Sequence, residues 1–276
     1  MKITAARKKF KKNFGQSNHF LITSLIALYN LGLEQKEVEC PDDFSTSWNP
    51  RDLENSKSRT RIFVLKSYLA FAVDGLDLYF TELNRKPEYI KDPRFKTIFD
   101  GAGRSVYNKA MGVAVYFKID SLLTAFIDLL ISYRNNLLHY SSENEIKLAH
   151  ESILKNDEAA IYSKYSGLDI NKLLDDYKKG DPPTFKDVAS LTRISHEFIE
   201  SVDKMIIDNL SCNYPKEAIL SKLRELQGIR QNFLSGTPHV RKRIVKSILT
   251  NYYSFNDDDF KDFAFEDYIG FCKDDI

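Results

Sequence analysis

The sequence predicts an all-α protein. Apolar residues recur at three- and four-residue intervals over long stretches, the 276 residues include only 11 glycines and 8 prolines, and alternating Val, Ile and Thr runs are scarce. With 43% hydrophobic and 13% aromatic residues the chain has material for a large core, in one large domain or two small ones.

Residues 1–34 read as a basic lead and one helix. Phe20 to Leu33 follows basic residues as a signal peptide's apolar region would, but Asn18, His19, Thr23, Ser24, Tyr29 and Asn30 interrupt it and no small-residue cleavage site follows. A surface helix is therefore expected. The polar stretch through Pro41, Trp48 and Pro50 to Ser58 reads as a linker. From Arg59 to Leu83 a long helix is indicated by Ile62, Leu65, Leu69, Ala72, Val73, Leu76, Phe80 and Leu83, with Asp74 and Asp77 largely off that stripe.

Pro87 and Pro93 end this helix, and Asp100-Gly101-Ala102-Gly103 reads as a turn before the next. Residues 105–140 are expected to be helical, with an interruption near Gly112. Helical segments follow around 144–164 and 169–179, and Gly180-Asp181-Pro182-Pro183 breaks the pattern. Thr184 is placed to cap a helix to Leu210 with Val188, Leu191, Ile194, Phe198, Val202, Met205 and Ile206 on one face. Pro215 opens a helix whose apolar set, Ile219, Leu220, Leu223, Leu226, Ile229 and Phe233, runs to Gly236. Thr237-Pro238 starts another, with Ile244, Val245, Ile248 and Leu249 inward and Arg241, Lys242, Arg243 and Lys246 outward.

Forty basic and 39 acidic residues nearly cancel, which excludes a polycation that coats nucleic acid non-specifically. The ends differ: Lys2, Arg7, Lys8, Lys9, Lys11 and Lys12 open the chain, and Asp257, Asp258, Asp259, Asp262, Glu266, Asp267, Asp274 and Asp275 lie near its end. Solvated frayed termini are the first reading, a nucleic-acid arm and an acidic clamp the second. Three scattered cysteines fit a reducing cytoplasm rather than a disulfide scaffold or zinc site. No uninterrupted apolar run reaches 18 residues, so no membrane span is expected. His19, His150, His196 and His239 lack companions at metal-ligand spacing, which predicts no metal, and no cofactor motif is present. There is no G-x-S-x-G and no cysteine in an activating context, so a serine or cysteine hydrolase finds no support.

The chemistry concentrates in Ile131 to Tyr140, closing the most apolar helix. On an ideal helix Ile119, Leu122, Leu123, Phe126, Leu130, Tyr133 and Leu137 lie within roughly 40° of one direction, the expected core face. Arg134 lies about 60° from it, Asn135 about 160°, and His139 about 160° on the far side. A permanent cation suited to phosphate and an imidazole suited to proton transfer thus share one helix, with Asn135 a neighbour of His139. Arg134 and His139 diverge about 7.5 Å along the axis, so one helix makes half a site, and two about a two-fold axis would complete it.

Arg134-Asn135-x-x-x-His139 after Phe126-Ile127-Asp128-Leu129-Leu130-Ile131-Ser132-Tyr133 resembles the R-N-x(3)-H motif of HEPN domains. These are α-helical domains of prokaryotic toxin, antiphage-defence and CRISPR-associated ribonucleases. The resemblance covers residues 59–211 as a HEPN-like core, between a basic N-terminal helix and linker (1–58) and a C-terminal helical extension with an acidic tail (212–276). It implies a HEPN-type bundle, a cytoplasmic homodimer, and metal-independent RNA cleavage by 2′-hydroxyl attack, giving a 2′,3′-cyclic phosphate. On that reading His139 is the general acid or base, Arg134 neutralises the phosphate, and Asn135 orients His139 or binds phosphate. A toxin or antiphage role would add a cognate antitoxin, sensor or activator as partner. Tyr140, Asp74 and Asp77 are accessory candidates, and Arg241, Lys242, Arg243 and Lys246 form either an RNA-binding face or a solvated one. Tyrosine stands directly after His139, whereas a subset of these toxins is modified at a tyrosine two residues on, where this chain has Ser141. The alternative function is a non-catalytic helical binding or adaptor protein that holds a partner protein or nucleotide.

Overall fold

The computed structural model describes residues 1–32, 43, 51–138 and 144–276. Among them every regular element is helical. The first five α-helices are α1 (Ala5–Asn30), α2 (Leu53–Leu83), α3 (Pro93–Ala102), α4 (Val106–Phe117) and α5 (Ser121–Leu138). Then follow α6 (Leu148–Asn156), α7 (Glu158–Lys164), α8 (Ile170–Lys179) and α9 (Phe185–Asp208). The chain closes with α10 (Tyr214–Glu225), α11 (Gln227–Ser235), α12 (Pro238–Tyr253), a 3-10 turn (Asp257–Phe260) and α13 (Glu266–Ile269). No helix among the described residues is long and apolar enough to cross a membrane.

The chain divides into two compact units. One holds Met1–Lys11, Leu76–Ile119 and Glu197–Ile276, the other Lys12–Gly75 and Asp120–His196. The boundaries fall inside α1, α2 and α9, so each unit contains part of each of these helices. Segment 59–211 contributes to both.

The apolar stripes of α2 and α9 are buried as their periodicity predicts, from Leu65 to Leu83 and from Val188 to Ile206, save that Ile62 and Met205 are half-buried. Several boundaries differ from the sequence reading. Helix α2 begins at Leu53 inside the expected linker, because Asp52 accepts from the Asn55 amide (3.0 Å) and so caps the first turn. The break expected near Gly112 falls instead at Lys118–Asp120. Lys118 takes the left-handed conformation (φ 52°), its N–H returning to the Ala114 and Val115 carbonyls, and Asp120 accepts from the Leu122 and Leu123 amides (2.9 and 3.0 Å). Gly112 lies within α4 and faces Ile98 of α3, whose Cγ2 would lie 2.5 Å from an added Cβ, so the glycine serves a close approach rather than a break. Pro93 starts a helix as well as following one: Asp92 caps α3 through the Arg94 amide (2.9 Å), and the expected turn narrows to Gly103. The single helix expected over 215–236 breaks at Leu226, whose φ of −108° and ψ of 89° are not helical.

In the first unit the N-terminal segment is neither frayed nor free. Thr4 and Ala6 are buried; Thr4 N–H donates to buried Asp203 (3.1 Å), and its hydroxyl donates to the same carboxyl. Lys2 pairs with Asp258 (2.7 Å) and the Met1 amine with Asp259. Burial pushes the Asp203 carboxyl above its usual range, against the donors Thr4 and Tyr79.

Candidate functional site

Helix α5, in the second unit, departs from the one-faced reading. Every residue from Ala125 to Tyr133 is buried, including Asp128 and Ser132 on the face expected to be polar. A continuous apolar run belongs to a helix enclosed on all sides, and one charged residue within it must find partners there. Asp128 accepts from the Lys147 amide (3.1 Å) and the Ser132 hydroxyl (3.2 Å) and pairs with His150 Nδ1 (2.6 Å). Lys147 is the N-cap residue of α6, and Asp128 accepts from its amide, one of those that the start of a helix leaves without an intrahelical partner. His150, which the sequence presents as isolated, is in fact held by a buried carboxyl.

Past Tyr133 the helix emerges. Tyr133 donates its hydroxyl to the Asp181 carbonyl (2.7 Å), and burial pushes its phenol above the usual range. Arg134 is about one-fifth exposed, where its angle of about 60° from the core direction puts it. Its Nη2 lies 3.0 Å from Asp74 Oδ1 on α2, and its Nη1 donates to Asn135 Oδ1 at 3.0 Å. Arg134 Nε is buried and has no hydrogen-bond partner among the described residues. Asp74 itself is 65% exposed. The guanidinium is thus oriented by a carboxylate that water reaches and by the side chain next to it in sequence.

Asn136 fixes the next stage. Its amide donates to the Asn144 carbonyl and its oxygen accepts from the Asn144 amide, both at 2.9 Å, and the Tyr177 hydroxyl also donates to that carbonyl. The two ends of the α5–α6 connection are therefore held together. His139 and Tyr140 fall within that connection and lie outside the described residues.

The other sequence candidates are placed elsewhere. Asp77, one turn along α2 from Asp74, belongs to the first unit and pairs with Lys109 (2.7 Å). Three of the α12 cations, also in the first unit, have partners there. Arg241 donates to the Leu234, Gly236 and Ile269 carbonyls at 2.9–3.1 Å, Lys242 lies over the Phe265 ring (4.7 Å), and Lys246 pairs with Asp257 (2.8 Å). Arg243 is exposed. No group of three or more metal-ligating side chains lies together among the described residues.

Sequence reasoning missed the Asp128–His150 pair and the Asn136 clamp. A signal existed for the first: one acid inside nine consecutive core positions requires a donor. No protein-family model, curated protein or solved structure matches the chain.

Proposed function

We propose that the protein is a metal-independent endoribonuclease of HEPN type, acting as a homodimer and serving as a toxin or antiphage effector. The observation that supports this best is the placement of Arg134 at the end of α5, gripped by Asp74 and Asn135, directly before the connection that carries His139. A guanidinium with two oriented terminal nitrogens is suited to a phosphate whose charge grows in the transition state. His139 would move the proton between the 2′-hydroxyl, the leaving 5′-oxygen and water. Two protomers would supply two such sets to one cleft.

Purified protein is incubated with total RNA in EDTA and the new ends are identified. Expected are 2′,3′-cyclic phosphates that vanish in His139→Ala and Arg134→Ala while both variants keep their helical circular dichroism. Uncut RNA, or cutting that survives both substitutions, overturns the reading.

A second reading, a helical protein that holds a partner, is favoured by one observation in the second unit. Phe20, Ile22, Ile26 and Tyr29 of α1 are all exposed, and Phe63 on α2 is too. On that reading Ala substitutions along α1 abolish partner capture, and RNA is untouched.

A further inference from the structure

We infer that Asp74 acts as an internal stand-in for phosphate, a counter-ion that occupies Arg134 in the free protein and that an incoming nucleic-acid phosphate displaces. The inference rests on reading Arg134 as the phosphate-binding group and adds how that group is regulated.

Three observations carry it. First, Asp74 meets Arg134 through one carboxylate oxygen only, Oδ1 at 3.0 Å from Nη2, rather than through a two-point fork, and no other hydrogen bond holds Asp74 among the described residues. Monodentate exposed pairs are the weak class of ion pair. Second, the partners differ in mobility: Arg134 is mostly buried, with Nη1 on Asn135, whereas Asp74 is 65% exposed and can swing into water. An anion therefore competes for a cation that stays in place. Third, Arg134 Nε is buried and unpaired among the described residues, so the single contact with Asp74 leaves one donor of the guanidinium unsatisfied and compensates its burial only in part. A carboxylate that tunes the affinity of a fixed guanidinium sets a threshold: weak or single anions fail to displace it, and a phosphate held by further contacts succeeds.

The test uses the full chain and a fluorescein-labelled single-stranded oligodeoxynucleotide, which lacks the 2′-hydroxyl and cannot be cut by the proposed chemistry. Binding is followed by anisotropy over a range of salt for the wild type, Asp74→Asn, Arg134→Gln and the double variant. Asp74→Asn is expected to bind about two- to fivefold tighter at low salt, the range that a weak exposed ion pair sets. Its affinity should also fall more steeply with salt, by up to about 0.7 in the logarithmic slope, because no freed carboxylate takes up a counter-ion. In the Arg134→Gln background the Asp74→Asn gain should vanish. Unchanged or weaker binding by Asp74→Asn overturns the inference, and so does an equal gain without Arg134, which marks a general loss of negative charge. Should Arg134→Gln fail to fold, the salt slope of Asp74→Asn alone decides, and a slope equal to wild type refutes the idea. The ribonuclease reading fails separately, by uncut RNA, so each result is assignable to one proposal.

Discussion

Replacing Asp128 by alanine tests the clearest three-dimensional pairing in the second unit. The carboxyl serves the Lys147 amide at 3.1 Å, His150 Nδ1 at 2.6 Å and the Ser132 hydroxyl at 3.2 Å, and it is wholly buried. Ser132 can turn to the carbonyl one helical turn back, so its loss is small. The Lys147 amide loses its acceptor at the start of α6, a loss of about 1 kcal/mol for one hydrogen bond. His150 loses a hydrogen-bonding partner in a half-buried place, about 1–3 kcal/mol. Together with the cavity, Asp128→Ala is expected to cost about 3 kcal/mol. Asp128→Asn keeps the shape and an oxygen for Lys147, and should cost about 1 kcal/mol. The assay is urea unfolding followed by circular dichroism, with hydrogen exchange on the Lys147 amide. Asp128→Ala and His150→Ala should be strongly non-additive, with a coupling of about 1–2 kcal/mol. A loss below about 1 kcal/mol for Asp128→Ala, or simple additivity, refutes the account of a buried pair that docks α6 on α5.

Gly112→Ala sets a methyl 2.5 Å from Ile98 Cγ2, so despite alanine's better helix propensity it should destabilise by about 1–2 kcal/mol, and Ile98→Ala should relieve the loss; urea midpoints of the two single variants and the double decide. The Asp203 carboxyl, raised by burial, binds its proton more tightly folded than unfolded. Its contribution is therefore fully present below its unfolded value of about 4 and is lost as pH rises through its folded value. The stability of the wild type minus that of Asp203→Asn should accordingly fall with rising pH, and a difference that grows instead contradicts the assignment. Asp92 has the opposite sign, since the Arg94 side chain and amide and the Tyr116 hydroxyl hold its carboxyl well below the usual range. Asp92→Ala should weaken α3 at neutral pH and lose its effect in strong acid, as read by hydrogen exchange of residues 94–97. Arg241→Ala removes donors to the Leu234, Gly236 and Ile269 carbonyls, so amide exchange over 264–271 should rise sharply; unchanged exchange there means the contacts do not hold the segment.

Helical class, the buried stripes of α2 and α9, and the position of Arg134 at the edge of the core follow from the sequence alone. Each is a local consequence of the 3.6-residue repeat, which places a side chain relative to its own helix axis. Helix ends are less legible. Asp52 and Asp120 start helices through one and two hydrogen bonds, and Gly112, which reads as a breaker, is instead a point of close approach to Ile98. Which distant groups meet is a different matter, decided by packing. Asp74 and Asp77 sit three residues apart on one helix with the same chemistry, yet the first lies on Arg134 and the second on Lys109. Asp128 and His150 are separated by helix α5's end and a connection, and nothing in their spacing pairs them. Periodicity fixes the angle of a residue around its axis. Only the tertiary fold brings a second helix to that angle, and with it the partner that turns a charged side chain into a cap, a clamp or half of a site.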